Sequence, residues 1–210
     1  MIVVHHLNDS RSQRVLWLLE ELAVPYEIRH YARNAVTRLA PPELLAVHPL
    51  GKSPVLQDAG RTVIESGAIV DYLIRHHGQG PGQAPLQPAA GSDEFEAYMQ
   101  WLHYAEGSAM LPLMLRLYTS RLGDAAAPLG PRIDSELANH LGFVNRSLEG
   151  RDFLVGDSLT GADIQMSFVG EAARGLRADY PAMDAWVRRL QARPAYRRAL
   201  ARGGPYALAA

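Results

Sequence analysis

The residues best suited to chemistry near the start of the chain lie in the polar segment NDSRSQR, residues 8–14. This segment follows an apolar run that predicts a buried strand, and it leads into an amphipathic stretch that predicts a helix. A serine hydroxyl at such a helix start could donate a hydrogen bond to a thiolate. The chain has no cysteine, so that thiol would have to arrive with a ligand. Capping alone also favours serine and aspartate here.

A second polar pair, Glu65 and Ser66, stands where a predicted strand passes into a predicted helix. The free amides and partial positive charge of a helix start favour a carboxylate, and the Ser66 hydroxyl adds a donor. Glu65 supplies the opposite charge, so the pair could hold both charged groups of a free α-amino acid. The simpler interpretation is a helix with Ser66 as its N-cap and an exposed Glu65.

The segment GKSPVL, residues 51–56, places a proline at the head of a predicted strand. A cis Ser53–Pro54 peptide bond would leave the Ser53 backbone able to pair with an extended peptide. Lys52, the only lysine among the 21 basic residues, could then bind a terminal carboxylate. The alternative is a turn that enters an edge strand.

The composition of the chain limits the kinds of molecule that we expect it to bind. The chain has 21 basic and 22 acidic residues and a formal net charge of -1, which favours neither nucleic acid nor an anionic membrane. No run reaches the roughly 18 to 20 apolar residues of a membrane span, and the N-terminus lacks a signal-peptide pattern, so we expect a cytoplasmic protein. The adjacent histidines at 5–6 and 76–77 point away from each other, so we expect no metal site.

Hydrophobic periodicity predicts two domains. The first, residues 1–78, has the order βαβαββα, with elements predicted at 2–7, 15–22, 26–31, 41–47, 54–57, 61–64 and from 66. Residues 79–91 are rich in Gly, Pro and Gln and predict a linker. Residues 92–210 are predicted to be all-helical, with helices at 92–122, 131–148, 160–175 and 181–193, and a short one from 194. A kink is expected at Pro112.

The segment DSLTGADI, residues 157–164, predicts a capped helix start rather than a catalytic acid. Thr160 would be the N-cap, and the Asp163 carboxylate would reach back to the Thr160 amide, as in a capping box. Leu159 and Ile164 would form the accompanying hydrophobic staple.

Over nearly its whole length the sequence resembles the cytosolic glutathione S-transferase family, in particular bacterial and fungal members with a serine at the first strand–helix turn. The stretches that carry the resemblance are SRSQRVLWLLEEL, HPLGKSPVL, VIESGAIVDYL and WLHYAEGSAMLPLML. The resemblance implies an α/β thioredoxin-like N-terminal domain that binds glutathione, followed by an all-α C-terminal domain. Glutathione would be a co-substrate, and the assembly would be a homodimer.

Carried over residue by residue, the resemblance makes Ser10 the donor to the glutathione sulfur, with Ser12 and Arg11 as competitors for that role. The glutathione-binding residues would be Glu65 and Ser66 at the γ-glutamyl end, Ser53 before cis-Pro54 at the cysteinyl unit, and Lys52 and His48 at the glycyl carboxylate. The family commonly has asparagine where this chain has His48. The helical domain would offer a site for a small hydrophobic electrophile, lined by Tyr104, Met110, Leu111, Met114 and Tyr118. Helix packing is the alternative interpretation of each of these five.

The implied reaction is attack of the glutathione thiolate on an electrophile or a peroxide, with Ser10 as a stabilising donor and not a covalent nucleophile. Two other functions fit the same fold. One is a glutathione-dependent isomerase or dehalogenase, and the other is a non-catalytic binding or regulatory protein. The sequence does not identify the electrophile.

Overall fold

The computed structural model describes residues 1–78 and 84–209, which form two compact units. One unit contains the chain up to residue 86 together with residues 190–209, and the other contains residues 87–189. The C-terminal residues were expected in the helical domain, but they pack with the N-terminal unit. Of the predicted linker, residues 79–83 lie outside the described residues, and residues 84–91 form turns and irregular chain.

The N-terminal unit is built on a four-stranded mixed sheet with strand order β2-β1-β3-β4. Its strands are β1 (Ile2–Leu7), β2 (Tyr26–Tyr31), β3 (Val55–Asp58) and β4 (Arg61–Val63). Strand β1 pairs parallel with β2 and antiparallel with β3, and β4 pairs antiparallel with β3. The predicted strand bounds are correct to within one residue.

The helical elements of this unit are α1 (Ser12–Leu22), a 3-10 helix (Pro42–Ala46), α2 (Ser66–His77) and α8 (Pro194–Gly203). The order βαβαββα is therefore confirmed. Its second helical element is a single 3-10 segment, because prolines stand at its start and His48-Pro49 follows its end.

Helix α1 is buried along most of its length, because it packs against α8 as well as against β1 and α2. The carboxylate of Glu21 accepts bonds of 2.6 and 3.0 Å from the Arg193 guanidinium. Glu20 accepts similar bonds from Arg198 and Arg202. These arginines largely cover Glu20 and Glu21, and they come from a part of the chain that local periodicity does not connect to α1.

The helical unit contains α3 (Asp93–Tyr104), α4 (Met110–Thr119), α5 (Gly130–Ser147), α6 (Gly161–Ala172) and most of α7 (Pro181–Ala192). Short 3-10 helices at Gly123–Leu129 and Arg177–Asp179 were not predicted. Across residues 1–78 and 84–209, no helix combines the length and the apolar character that a membrane crossing requires.

The predicted irregularity of the first long helix lies upstream of Pro112. Helices α3 and α4 are joined by a π-helical turn, Ala105–Ala109, in which the Met110 amide donates to the carbonyl of Ala105, five residues back. Pro112 cannot donate to the carbonyl of residue 108, and its ring crowds the preceding turn, so the widened turn forms there.

The predicted capping box at the start of α6 is confirmed. Thr160 is the N-cap, and the Asp163 carboxylate accepts from the Thr160 amide at 3.0 Å. Asp163 also accepts from the Leu154 amide and the Trp186 indole. The carboxylate therefore ties the preceding loop and α7 to the start of α6.

Candidate active site

Three polar segments meet at one end of the sheet. In the antiparallel register His5 lies opposite Val55, and Leu56 lies opposite Val63. The end of β1, the start of β3 and the end of β4 therefore lie side by side. The Ser53 hydroxyl joins two of these segments, because it donates to the His5 carbonyl at 2.8 Å and accepts from the Leu7 amide at 3.1 Å.

The predicted sulfur donors lie in the loop after β1 and at the first residue of α1. Ser10 is 5% exposed, whereas Ser12 is fully buried at 0%. The two hydroxyl oxygens lie 2.7 Å apart, and the Ser12 amide donates to the Ser10 oxygen at 3.2 Å. Arg11 lies between them and is half-buried. Of the two serines, Ser10 is therefore the more accessible to solvent.

The peptide bond between Ser53 and Pro54 is cis, as the resemblance implies. Pro54 is buried, and the neighbouring Lys52 is exposed. His48 is half-buried, and its Nδ1 accepts from the Leu50 amide at 3.3 Å. One ring nitrogen of His48 therefore stabilises its own turn.

The start of α2 differs from the prediction. Ser66 is not the N-cap but the first residue of the helix, and Glu65 holds the N-cap position with φ 66 and ψ 117. The Glu65 carbonyl accepts from the Ile69 amide at 2.8 Å. A positive φ costs a non-glycine residue about 1 to 3 kcal/mol, and such residues cluster at functional sites. The Glu65 side chain is exposed, whereas Ser66 is buried.

The predicted electrophile-site residues lie on α3 and α4 and differ in accessibility. Leu111 and Tyr118 are each 58% exposed, and Met114 is half-buried. Met110 is buried in the core of the helical unit, so packing accounts for it.

Tyr104 is part of a cluster with His140 and the rings of Trp101 and Phe143. Its hydroxyl lies 2.6 Å from His140 Nδ1, and His140 Nε2 lies 3.4 Å from a Glu136 carboxylate oxygen. Burial raises the pKa of the Tyr104 phenol to about 12. Tyr104 therefore stays protonated at neutral pH.

His6 is not among the predicted site residues, since from the sequence it was considered only as half of a metal-binding pair. His6 is 3% exposed, and its ring nitrogens lie 2.8 Å from the Ser12 hydroxyl and 3.1 Å from the Gly203 carbonyl. Burial, with a smaller effect of nearby His30, lowers the pKa of His6 to about 4. The alternation of Ile2, Val4 and His6 along β1 could have indicated a buried, neutral histidine.

In the part of the chain that the structure describes, no group of three or more His, Asp or Glu side chains is arranged to hold a metal ion. The polar groups in these segments include the hydroxyls of Ser10 and Ser53, backbone amides, the exposed Lys52 ammonium and the exposed Glu65 carboxylate. Such groups can hold a small zwitterionic ligand through hydrogen bonds.

Both halves of the chain match family models. The model described as "Glutathione S-transferase, N-terminal domain" matches residues 1–75, and the model described as "Glutathione S-transferase, C-terminal domain" matches residues 113–194. Among curated proteins, Glutathione S-transferase 3 of Schizosaccharomyces pombe is 35% identical over 217 residues, which cover 94% of this chain and 86% of the relative.

Solved structures give the same result. A glutathione S-transferase from Actinobacillus pleuropneumoniae has a TM-score of 0.88 and 34% identity, covering 99% of this chain and 95% of its own. A glutathione transferase family member from Pseudomonas fluorescens, solved with two glutathione bound, has a TM-score of 0.79 and 27% identity, covering 95% of this chain and 92% of its own.

Proposed function

This chain belongs to the glutathione S-transferase family, and we propose that it activates the thiol of glutathione for attack on an electrophilic or peroxide substrate. One observation supports this proposal above all. The segments that contain Ser10, Ser53 and Glu65 lie together at one end of the sheet, beside the N-termini of α1 and α2. Glutathione has an α-amino acid group at one end, a carboxylate at the other and a thiol between them. These groups match the three segments in kind.

The γ-glutamyl end would bind at the start of α2. Glu65 is exposed and offers an anion to the ligand's ammonium group, while the first-turn amides and Ser66 offer donors to its carboxylate. The backbone of Ser53 would pair with the cysteinyl unit. Lys52, which is exposed, and His48 would bind the glycyl carboxylate.

The thiol would lie at the start of α1. A free cysteine thiol has a pKa of about 8.5, so only a few per cent is thiolate at neutral pH, and the thiolate is the nucleophile. The partial positive charge of the α1 N-terminus and a hydrogen bond from Ser10 would both favour the thiolate. Ser12 is too buried to touch the sulfur itself.

The second substrate would be a small hydrophobic electrophile that contacts the helical unit. Leu111 and Tyr118 support this, because both are large and more than half exposed. Met114 and the neutral Tyr104 hydroxyl would add an adaptable apolar contact and a hydrogen-bonding group. We expect a homodimer in the cytoplasm.

Turnover with glutathione and a panel of haloaromatics, epoxides, isothiocyanates and hydroperoxides tests this function. We expect turnover with at least one class, and a lower kcat in Ser10→Ala with nearly unchanged glutathione affinity. A chain that is not retained on a glutathione column contradicts glutathione binding. A chain that is retained but turns over no member of the panel would be a binding protein rather than a transferase.

A further inference from the structure

A chain of buried hydrogen-bonding groups runs from the end of α8 to the predicted sulfur donor. His6 Nε2 lies 3.1 Å from the Gly203 carbonyl oxygen, and His6 Nδ1 lies 2.8 Å from the Ser12 hydroxyl. The Ser12 hydroxyl lies 2.7 Å from that of Ser10. All four residues belong to the N-terminal unit.

The chemistry of the first link fixes the direction of the whole chain. A carbonyl oxygen can only accept, so Nε2 of His6 must carry the hydrogen that Gly203 receives. The ring is neutral, since burial lowers the His6 pKa to about 4, and Nδ1 is therefore an acceptor. Ser12 donates to Nδ1, and its oxygen, which accepts from the Leu7 amide at 3.3 Å, uses its second lone pair to accept the hydrogen of Ser10.

Neighbouring contacts agree with this direction. The Ser12 oxygen is 3.2 Å from the Leu7 carbonyl, the competing acceptor for its hydrogen, which is longer than the 2.8 Å to Nδ1. The Ser10 oxygen already accepts from the Ser12 amide at 3.2 Å. Ser10 therefore turns its hydrogen inward and offers a ligand its remaining lone pair.

We propose that His6 is a positioning residue which, through Ser12, holds the Ser10 hydroxyl as an acceptor toward a ligand sulfur. This inference rests on the proposed function, because it concerns how Ser10 meets glutathione. An acceptor suits a thiol that still carries its proton. To donate to the thiolate, Ser10 must turn its hydrogen outward and open its bond to Ser12, so His6 sets how readily the bound thiol ionises.

Gly203, whose carbonyl anchors these hydrogen bonds, is closely packed, and an added side chain there would displace the ends of neighbouring side chains. A Cβ there would lie 2.8 Å from Gln13 Oε1, 2.9 Å from Leu16 Cδ1 and 3.4 Å from His6 Nε2. Ion pairs of Arg193 with Glu21, and of Arg198 and Arg202 with Glu20, join this C-terminal segment to α1. The C-terminal helix is thereby linked to the loop after β1.

Three substitutions test the direction in the complex with glutathione, by thiolate absorbance against pH. His6→Gln keeps a donor for Gly203 but removes the acceptor at Nδ1, and Ser12→Ala removes the acceptor of the Ser10 hydrogen. Both should lower the bound thiol pKa by roughly half a unit to one unit, whereas Ser10→Ala should raise it. Combining His6→Gln with Ser12→Ala should add nothing further.

The matched control is His5→Gln. His5 is the adjacent histidine, and its ring nitrogens contact Tyr31 and Gln57 instead. Its substitution should leave the thiol pKa unchanged. The positioning role is overturned if His6→Gln and Ser12→Ala bind glutathione with the wild-type thiol pKa, or if they raise it.

A second measurement needs neither a variant nor glutathione. Nitrogen-15 NMR of the unliganded wild-type protein reports which ring nitrogen of His6 carries the hydrogen. We expect the Nε2–H form. The Nδ1–H form overturns the proposal, because Nδ1 would then donate to Ser12 and the direction of the hydrogen bonds to Ser10 would no longer be fixed. If the wild-type protein does not bind glutathione, the proposed function fails, while this spectrum still decides the direction of the Ser10 hydroxyl.

Discussion

Replacing Asp163 should destabilise the helical unit far more than removing the cap residue that it partners. Asp163 is fully buried, and its two oxygens accept four hydrogen bonds. The donors are the Leu154 amide, the Thr160 amide, the Thr160 hydroxyl and the Trp186 indole. In Asp163→Ala the hydroxyl can rotate to another partner, but the three N–H groups cannot.

A buried donor left without a partner costs about 1 to 3 kcal/mol. Taking about 1 to 2 kcal/mol for each of the three, since the cavity left by the side chain gives some room to relax, we expect a loss of about 3 to 6 kcal/mol. Thr160→Ala removes a single cap and should cost about 1 kcal/mol. Asp163→Asn keeps one acceptor oxygen and should fall between the two.

Guanidinium unfolding followed by far-ultraviolet circular dichroism measures these losses. Asp157→Ala is the control, because Asp157 is exposed in the same segment and should change stability by less than about 0.5 kcal/mol. Folded Thr160→Ala and Asp163→Asn should bind glutathione with wild-type affinity. A loss below about 1.5 kcal/mol in Asp163→Ala, or weakened binding in the folded variants, would refute a purely structural role.

Three further outcomes are expected. Glu65→Ala should raise the glutathione dissociation constant by roughly ten- to a hundredfold in calorimetry, because the ligand's ammonium loses a charge-assisted bond. Glu27→Ala is the control and should bind like the wild type. If Glu65→Ala also binds like the wild type, Glu65 does not bind the ammonium group. The free energy of unfolding should fall by about 3 kcal/mol between pH 6.5 and 4, because unfolded His6 takes up a proton at about 6.5 and folded His6 only at about 4; a His6→Gln profile as steep as the wild-type one contradicts this. Light scattering at micromolar concentration should give twice the chain mass.

The parts of the fold that local sequence encodes could be predicted. Strands β1 and β2 have the predicted bounds, because short runs with β-branched or aromatic residues mark them. The capping box at Thr160 and Asp163 was also readable, since both partners lie within one helical turn. Each of these features depends on residues that are close in sequence.

Features made by distant contacts could not be predicted. Gly203 meets His6 across almost the whole chain, so no local pattern connects them. Glu65 adopts a positive φ at the junction of β4 and α2 and takes the N-cap position. Residue propensities instead favour Ser66 as the N-cap, so this backbone conformation could not be predicted. A proline inside a helix can produce either a kink or a π-helical turn, and the sequence does not determine which. The π-helical turn before Pro112 could therefore not be predicted.

Thiolate absorbance against pH, measured with bound glutathione in the wild-type protein and in Ser10→Ala, tests whether this chain activates the thiol. We expect a wild-type thiol pKa below about 8.5. A hydrogen bond from Ser10 to the thiolate contributes about 1.5 to 3 kcal/mol, and forming it requires opening the bond from Ser10 to Ser12, which costs about 0.5 to 1.5 kcal/mol. The difference corresponds to about one pKa unit, so Ser10→Ala should raise the thiol pKa by about one unit. A bound thiol that titrates like free cysteine contradicts thiol activation, and a Ser10→Ala complex that titrates like the wild type contradicts the role of Ser10.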